Sequence, residues 1–406
     1  MADNEPNEPE GMGHPAPSGA SQIKPGVVAG NLGEPIRLSN VAVDGVAAEA
    51  AQKGQQAKLW VRMGITSDHR NFHPIAEGLS GVITHAANAA GVHVSLDRAG
   101  TVLLVIKPDK TADLWLDTAA VSLDVMMKRD MEAGQVVFEH DIADVGGMKF
   151  PLVPIGPKDK VICIFRQDWR FGLYFDFNPE GALDQEAMSR SLGQMYRSLK
   201  YRHLYDLIAD EAVFRRLVDS GWFPFVEILG GDFRALANAC AAGFDLADEE
   251  AKLVAKFPRQ RLDHLLARWL RKPHLQPREA LLKSAIDGFE RGDPVAVIKI
   301  IATEIEGILA DAYRTAHGGS AKIKTLLEFA REAAERRAGS PDTLLFPTAF
   351  AAYLTNYTFA NFDPSGPKGS AGSRHAVGHG AADPATYTMP RALQVLLTLD
   401  QLAFST

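Results

Sequence analysis

"KVICIFRQDWRFGLYFDFNP", residues 160–179, decides how the first half of the chain folds. Val161, Cys163 and Phe165 alternate with Ile162 and Ile164, so both faces of an extended segment are apolar. Gln167 to Arg170 supply a turn, and Phe171, Leu173, Phe175 and Phe177 line one face of a return strand that Asn178-Pro179 ends. The pattern predicts a β-hairpin.

Outward from this hairpin the periodicity stays mixed. "PIAEGLSGVITHAANAAG" (74–91) has helical spacing, with Pro74 suited to a first turn and Gly91 to a stop. "VHVSLD", "TVLLVIKPD" and "TADLWLD" read as short strands separated by turn residues. "SLDVMMKRDMEAG" reads as a second helix ended by Gly134. Residues 57–180 are therefore expected to form an α+β domain. Residues 1–56, acidic and rich in Pro and Gly, read as a disordered tail without the basic region and apolar core of a signal peptide.

From residue 183 the period is helical almost to the end. "LDQEAMSRSLGQMYRSLKYRHLYDLIADEAVFRRLVDSG" reads as one long amphipathic element, with Leu192, Met195, Tyr196 and Leu199 on or near one stripe. Trp222, Phe223 and Phe225 around Pro224 read as a core plug, or alternatively a ligand wall. Residues 181–275 form a helical connecting region. Residues 276–406 read as a bundle of four or five helices: Asp293 caps and Pro294 starts one, and Val297, Ile301, Ile305, Ile308 and Ala312 give it a continuous buried stripe. A flexible loop, "DPSGPKGSAGS", leads to Arg374, and the last helix is "PRALQVLLTLDQLAF", capped by Thr388 or Met389. The predicted class is α+β: an N-terminal mixed α/β-strand domain, then a mostly α-helical C-terminal half ending in the bundle.

A net charge of −7 over 406 residues argues against a surface coated for indiscriminate nucleic-acid binding, and no double-stranded DNA partner is expected. No apolar run is long enough to span a membrane, and Cys163 and Cys240 sit in apolar surroundings as free thiols, so a cytoplasmic protein is expected. Phosphate loops, nucleophile elbows, dinucleotide fingerprints and paired-cysteine zinc patterns are absent. His69, His73 and Glu77 are spaced for one helix face, but Pro74 biases His73 away from helical geometry, so neither a metal nor another cofactor is expected.

"SRHAVGHG", residues 373–380, places Arg374, His375 and His379 between small residues just before the last apolar stretch. A neutral imidazole can take the proton from a ribose 2′-hydroxyl at physiological pH, and the oxygen so activated attacks the adjacent phosphate without a metal. A guanidinium offers a planar charged fork to the phosphate oxygens. DNA lacks the 2′-hydroxyl and would be excluded. Arg259 with His264 repeats the spacing, and Arg197 with His203 and Arg268 with His274 satisfy a looser form. As a plainer alternative, the stretch is a polar connector whose Arg caps a neighbouring helix.

"RHAVGHG" resembles the Arg, four to six residues, His motif of the HEPN superfamily of helical-bundle proteins, many of them RNA endonucleases. The resemblance covers residues 276–406. It implies a metal-independent ribonuclease, a toxin or antiviral effector, in which Arg374 and His379 are the catalytic pair and His375 orients them or contacts phosphate. It also implies a homodimer through the bundle, two motifs sharing one cleft. Glu306 or Glu304 are the nearest acidic candidates. The alternative is a non-enzymatic interaction protein whose bundle dimerises or binds a ligand or RNA. The basic run at 257–278 reads either as the solvated face of a core helix or as the grip on RNA backbone through Arg259, Arg261, Arg268, Arg271 and Lys272, with only Asp263 as counter-charge.

Overall fold

The computed structural model describes residues 30–338, 342–361 and 369–406. Strands β1 (Ile36–Leu38), β2 (Val46–Ala47), β3 (Leu59–Trp60) and β4 (Arg62–Thr66) precede helix α1 (Phe72–Ala89). Then come β5 (Thr101–Ile106), β6 (Ala112–Leu116), β7 (Ser122–Met127), β8 (Ile142–Lys149), β9 (Lys160–Gln167) and β10 (Arg170–Asp176). Six of these form one antiparallel sheet in the order β1-β6-β5-β9-β10-β4.

The hairpin read from residues 160–179 lies inside this sheet. Gln167 pairs with Arg170, and Asp168 takes the left-handed conformation (φ +56°) that the two-residue turn requires. Ile162, Leu173, Phe175 and Phe177 pack under α1, through Ile75, Leu79 and Ile83. Val161, Cys163, Phe165 and Tyr174 pack on the opposite face against α2 (Gln185–Lys200), through Leu192, Met195 and Leu199. The doubly apolar strand thus reflects a sheet covered on both faces.

The rest is helical: α3 (Arg202–Ala209), α4 (Glu211–Asp219), α5 (Gly231–Ala241), α6 (Ala247–Ala255), α7 (Arg259–Trp269), α8 (Glu279–Glu290), α9 (Pro294–His317), α10 (Ile323–Ala338), α11 (Pro347–Tyr353), α12 (Arg374–Gly378) and α13 (Met389–Ser405). Asp293 caps α9 by accepting from the Ala296 N–H, and the stripe from Val297 to Ala312 is buried, as its spacing predicts. Trp222, Phe223 and Phe225 are fully buried, with Phe223 ringed by Phe346, Phe350 and Tyr353, so the aromatic cluster is core.

Four local readings are corrected. Residues 30–56 are not all tail: β1 pairs with β6 as the sheet's edge strand, and β2 pairs with β3; residues 1–29 lie outside the described residues. "VHVSLD" is irregular and ends in a single 3₁₀ turn at Leu96–Arg98. "SLDVMMKRDMEAG" is not a helix: Ser122–Met127 is β7, whose backbone groups are taken by β8. The long amphipathic element is three helices, because Asp210 caps a new start at the Ala212 and Val213 N–H groups and Tyr201 breaks the run earlier. Its first piece, α2, belongs to the sheet's cover rather than to a connecting region. Most of the loop before Arg374 lies outside the described residues.

The α2–β8 contact is close enough to exclude a side chain. A Cβ on Gly193 would stand 2.4 Å from the Gly147 Cα. Gly193→Ala is expected to raise the helicity of an isolated α2 peptide, since Ala favours helix by about 1 kcal/mol. In the whole protein it should instead cost about 1–3 kcal/mol by pushing helix off strand. Urea denaturation of the two proteins checks the sign.

Candidate functional site

Ser373 caps α12, its Oγ accepting from the Ala376 N–H at 3.4 Å and donating to the Ala360 carbonyl at 3.0 Å. The helix stops after one turn. His379 is its C-cap, Gly380 adopts φ +67°, and the Ala381 and Ala382 N–H groups close on the Ala376 carbonyl at 2.8 and 3.1 Å. Arg374 and His379 therefore flank a single helical turn, separated by about 140° around the axis, whereas His375 and His379 share a side.

Arg374 is partly exposed and reaches across to α9, where its Nη2 pairs with Glu306 Oε2 at 2.6 Å. Its buried Nε has no partner among the described residues. His375 is half-buried, and His379 is exposed. Glu304, the other acidic candidate, is taken by Arg278 at 2.9 Å. Arg374, His375 and His379 line none of the four cavities bounded by Asp342 and Arg202, by Asp144 and Arg337, by Phe214 and Tyr353, and by Lys128 and Lys272. The connector alternative, with Arg374 capping a neighbouring helix end, does not describe the contact made: the guanidinium meets a side chain in the middle of α9.

The basic run is far more neutralised than one counter-charge allows. Arg259 meets Asp263, Asp287 and Glu290 at 2.8, 2.7 and 2.7 Å. Arg261 pairs with Glu227 at 3.0 Å and lies over the Phe257 ring. Arg271 pairs with Asp130. Arg268 is held deep in the protein: two N–H groups reach Asp400 at 2.6–3.1 Å, Nη2 also reaches Glu227 at 3.0 Å, and Nη1 donates to the Lys128 carbonyl at 2.6 Å. Trp269 Nε1 completes the Asp400 shell at 2.8 Å. These partners come from distant sequence, which is why the run looked open. Lys272 differs, since no carboxylate meets it among the described residues. Burial, with Arg337 nearby, lowers its pKa to about 8.

Asp400 sits on a helix whose residues from Ala392 to Ser405 are all buried, and burial, with Glu227 nearby, raises its carboxyl's pKa against the pull of Arg268 and Trp269. Burial works against charge on Arg268 as well, but Asp400 and Glu227 outweigh it and hold the guanidinium's pKa up. Burial also pushes Glu227 upward, and Arg268, Arg261 and Lys128 overcome it to bring the carboxyl below its ordinary value.

Among the described residues no group of three or more His, Cys, Asp and Glu side chains could hold a metal ion. His69 lies in the turn before α1 and His73 inside the helix, so the spacing that suggested a shared face is broken at the helix start. No helix of the described residues is long and apolar enough to cross a membrane. No protein-family model matches the chain, no curated protein matches it, and no solved structure matches it.

Asp400→Asn should leave Arg268 with Glu227 as its one remaining counter-ion and cost about 3 kcal/mol. The pair replacement Arg268→Met with Asp400→Leu should recover most of that loss. Urea melts of the single and double variants measure both, and equal losses in the two would show that the pair is not what α7 and α13 depend on.

Proposed function

We propose that the chain is a metal-independent RNA endonuclease of HEPN type that cleaves by 2′-hydroxyl attack. The single observation that carries this reading is a comparison among the Arg–His pairs of suitable spacing. Arg197 is buried against Asp144, Arg268 against Asp400 and Glu227, and Arg259 meets three carboxylates. Only the terminal pair combines a partly exposed guanidinium facing one carboxylate with an exposed imidazole one turn away.

In this reading His379 takes the 2′-hydroxyl proton, the 2′-oxygen attacks the adjacent phosphorus as the P–O5′ bond breaks, the 5′-oxygen leaves with a proton from water, and a 2′,3′-cyclic phosphate remains, while the Arg374 fork stabilises the charge gathering on the phosphate oxygens. Glu306 holds the guanidinium until phosphate competes for it, and His375 lies on the His379 side of the turn to steady the bound phosphate. A second copy, joined through the bundle, brings a second motif to the same strand.

A second reading has its own support: the Arg374–Glu306 pair ties α12 to α9, as a purely structural bridge would. The bundle is then a dimerisation or RNA-binding module without catalysis.

Labelled RNA incubated with the purified protein in EDTA separates the two. Cleavage is expected for the wild type, with His379→Ala and Arg374→Ala each slower by about 10²-fold or more, and a DNA copy of the substrate left intact. Glu306→Gln should keep or raise RNA affinity. Cleavage indifferent to both Ala variants defeats the nuclease reading. RNA binding without cleavage, at an unchanged Arg374-dependent affinity, favours the module.

A further inference from the structure

The most cationic of those four cavities lies away from α12. It encloses about 590 Å³ between the end of β7, the C-terminal half of α7, the last turn of α10 and the end of α13. Six of its thirteen lining residues are Lys or Arg, against Asp130 as the one acidic residue. Three of the six are already committed: Arg129 to Asp141, Arg268 to Asp400 and Glu227, and Arg271 to Asp130.

The other three, Lys128, Lys272 and Arg337, make no side-chain hydrogen bond or ion pair with any described residue. Lys128 is the telling one. It is only 7% exposed, and the nearest carboxylates, Glu227 and Asp400, are consumed by Arg261 and Arg268. Burial drags its pKa down to about 8. A buried ammonium that feels Glu227 and Asp400 only at a distance and hydrogen-bonds no carboxylate is costly, and such groups are ordinarily paired or ligand-bound. The three uncommitted cations come from three separate elements and face one space. Met126, Met127, Ala403 and Phe404 supply an apolar wall beside them. The volume is that of a small-molecule site, and convergent charge beside an apolar wall is how such sites orient a ligand.

We propose that this cavity binds a phosphorylated small molecule of mononucleotide size, its phosphate held by Lys128, Lys272 and Arg337 and its uncharged part laid against Met126, Met127 and Phe404. The inference does not rest on the nuclease reading, because Arg374 and His379 line no part of the cavity.

Calorimetric titration of the full chain with AMP, adenosine, inorganic phosphate and pyrophosphate tests it. AMP should bind, and Lys128→Met and Lys272→Met should each weaken it by about tenfold, the loss of one charge-assisted contact. Adenosine should bind at least tenfold more weakly than AMP. If inorganic phosphate or pyrophosphate matches AMP, the source is a free phosphate and the apolar wall is idle. Lys128→Met should also raise Tm, because it removes an unpaired buried charge. A lysine kept for stability would lower it. Arg374→Ala should bind AMP as the wild type does, which keeps failure of this inference distinct from failure of the nuclease reading. No binding by any phosphate probe at 1 mM, or AMP binding unchanged in the Lys128→Met/Lys272→Met variant with its circular dichroism intact, overturns the proposal. So does a single-stranded RNA oligomer that needs both lysines while AMP does not bind.

Discussion

The carboxylate of Asp400 has no water to fall back on, and the helical half is organised around satisfying it. From Ala392 to Ser405 α13 is buried all round, so no solvent face is left to set its rotation. Polar side chains set it instead. Asp400 must meet Arg268 and Trp269, and Gln401 must accept from the Val226 N–H at 2.8 Å while donating to the Leu345 carbonyl at 3.1 Å. Further along, Gln394 donates to the Ser220 carbonyl at 3.1 Å and the Thr398 hydroxyl lies 3.4 Å from that of Tyr353. A helix made only of Leu and Ala could rotate among several packings at little cost. Each of these partners penalises such a rotation by stranding a buried polar group.

That requirement also orders the basic run. Arg268 turns inward to reach Asp400, which fixes the face of α7 and sends Arg271 and Lys272 past its end towards β7 and α10. The same guanidinium donates to the Lys128 carbonyl and so holds the strand end whose ammonium lines the cavity. One buried pair therefore joins the sheet half to the bundle and positions cations it does not itself neutralise. Net charge conceals this arrangement: a chain at −7 keeps a concentrated positive site where the paired residues screen nothing further inward.

The parts of the fold legible in sequence were those whose local pattern already contained the answer. Residues 160–179 carried two apolar faces, Asp293-Pro294 carried a cap, and Val297 to Ala312 carried a stripe; each is realised. Local patterns failed where partners decide. "SLDVMM" holds apolar residues at spacings compatible with a helix, yet β8 supplies its hydrogen bonds and makes it a strand. Ile36–Leu38 is too short to announce itself and exists because β6 offers an edge. The candidate sites divide in the same way. The Arg374–His379 spacing is visible along the chain, and Glu306 was within view as an acidic neighbour. Lys128 and Arg337 gave no signal, since their significance lies in having no partner once Glu227 and Asp400 are taken, a fact of the folded surroundings alone.

The terminal turn poses a geometric constraint of its own. On a regular helix, groups five residues apart point about 140° away from each other, so a rigid Arg374 and His379 could not close on one phosphate. Two properties relax this. His379 is the exposed C-cap, its N–H still bonded to the His375 carbonyl at 3.1 Å, so its imidazole can turn about its own side-chain bonds in solvent. Arg374 has a long reach, and one half-exposed carboxylate rather than a buried set restrains it. A partly exposed ion pair of this kind is worth on the order of 1 kcal/mol, whereas a guanidinium fork on phosphate is among the stronger charge-assisted contacts. On the proposed nuclease reading, exchanging Glu306 for phosphate would cost Arg374 little. For Arg268 the same exchange would strand Asp400 inside the core.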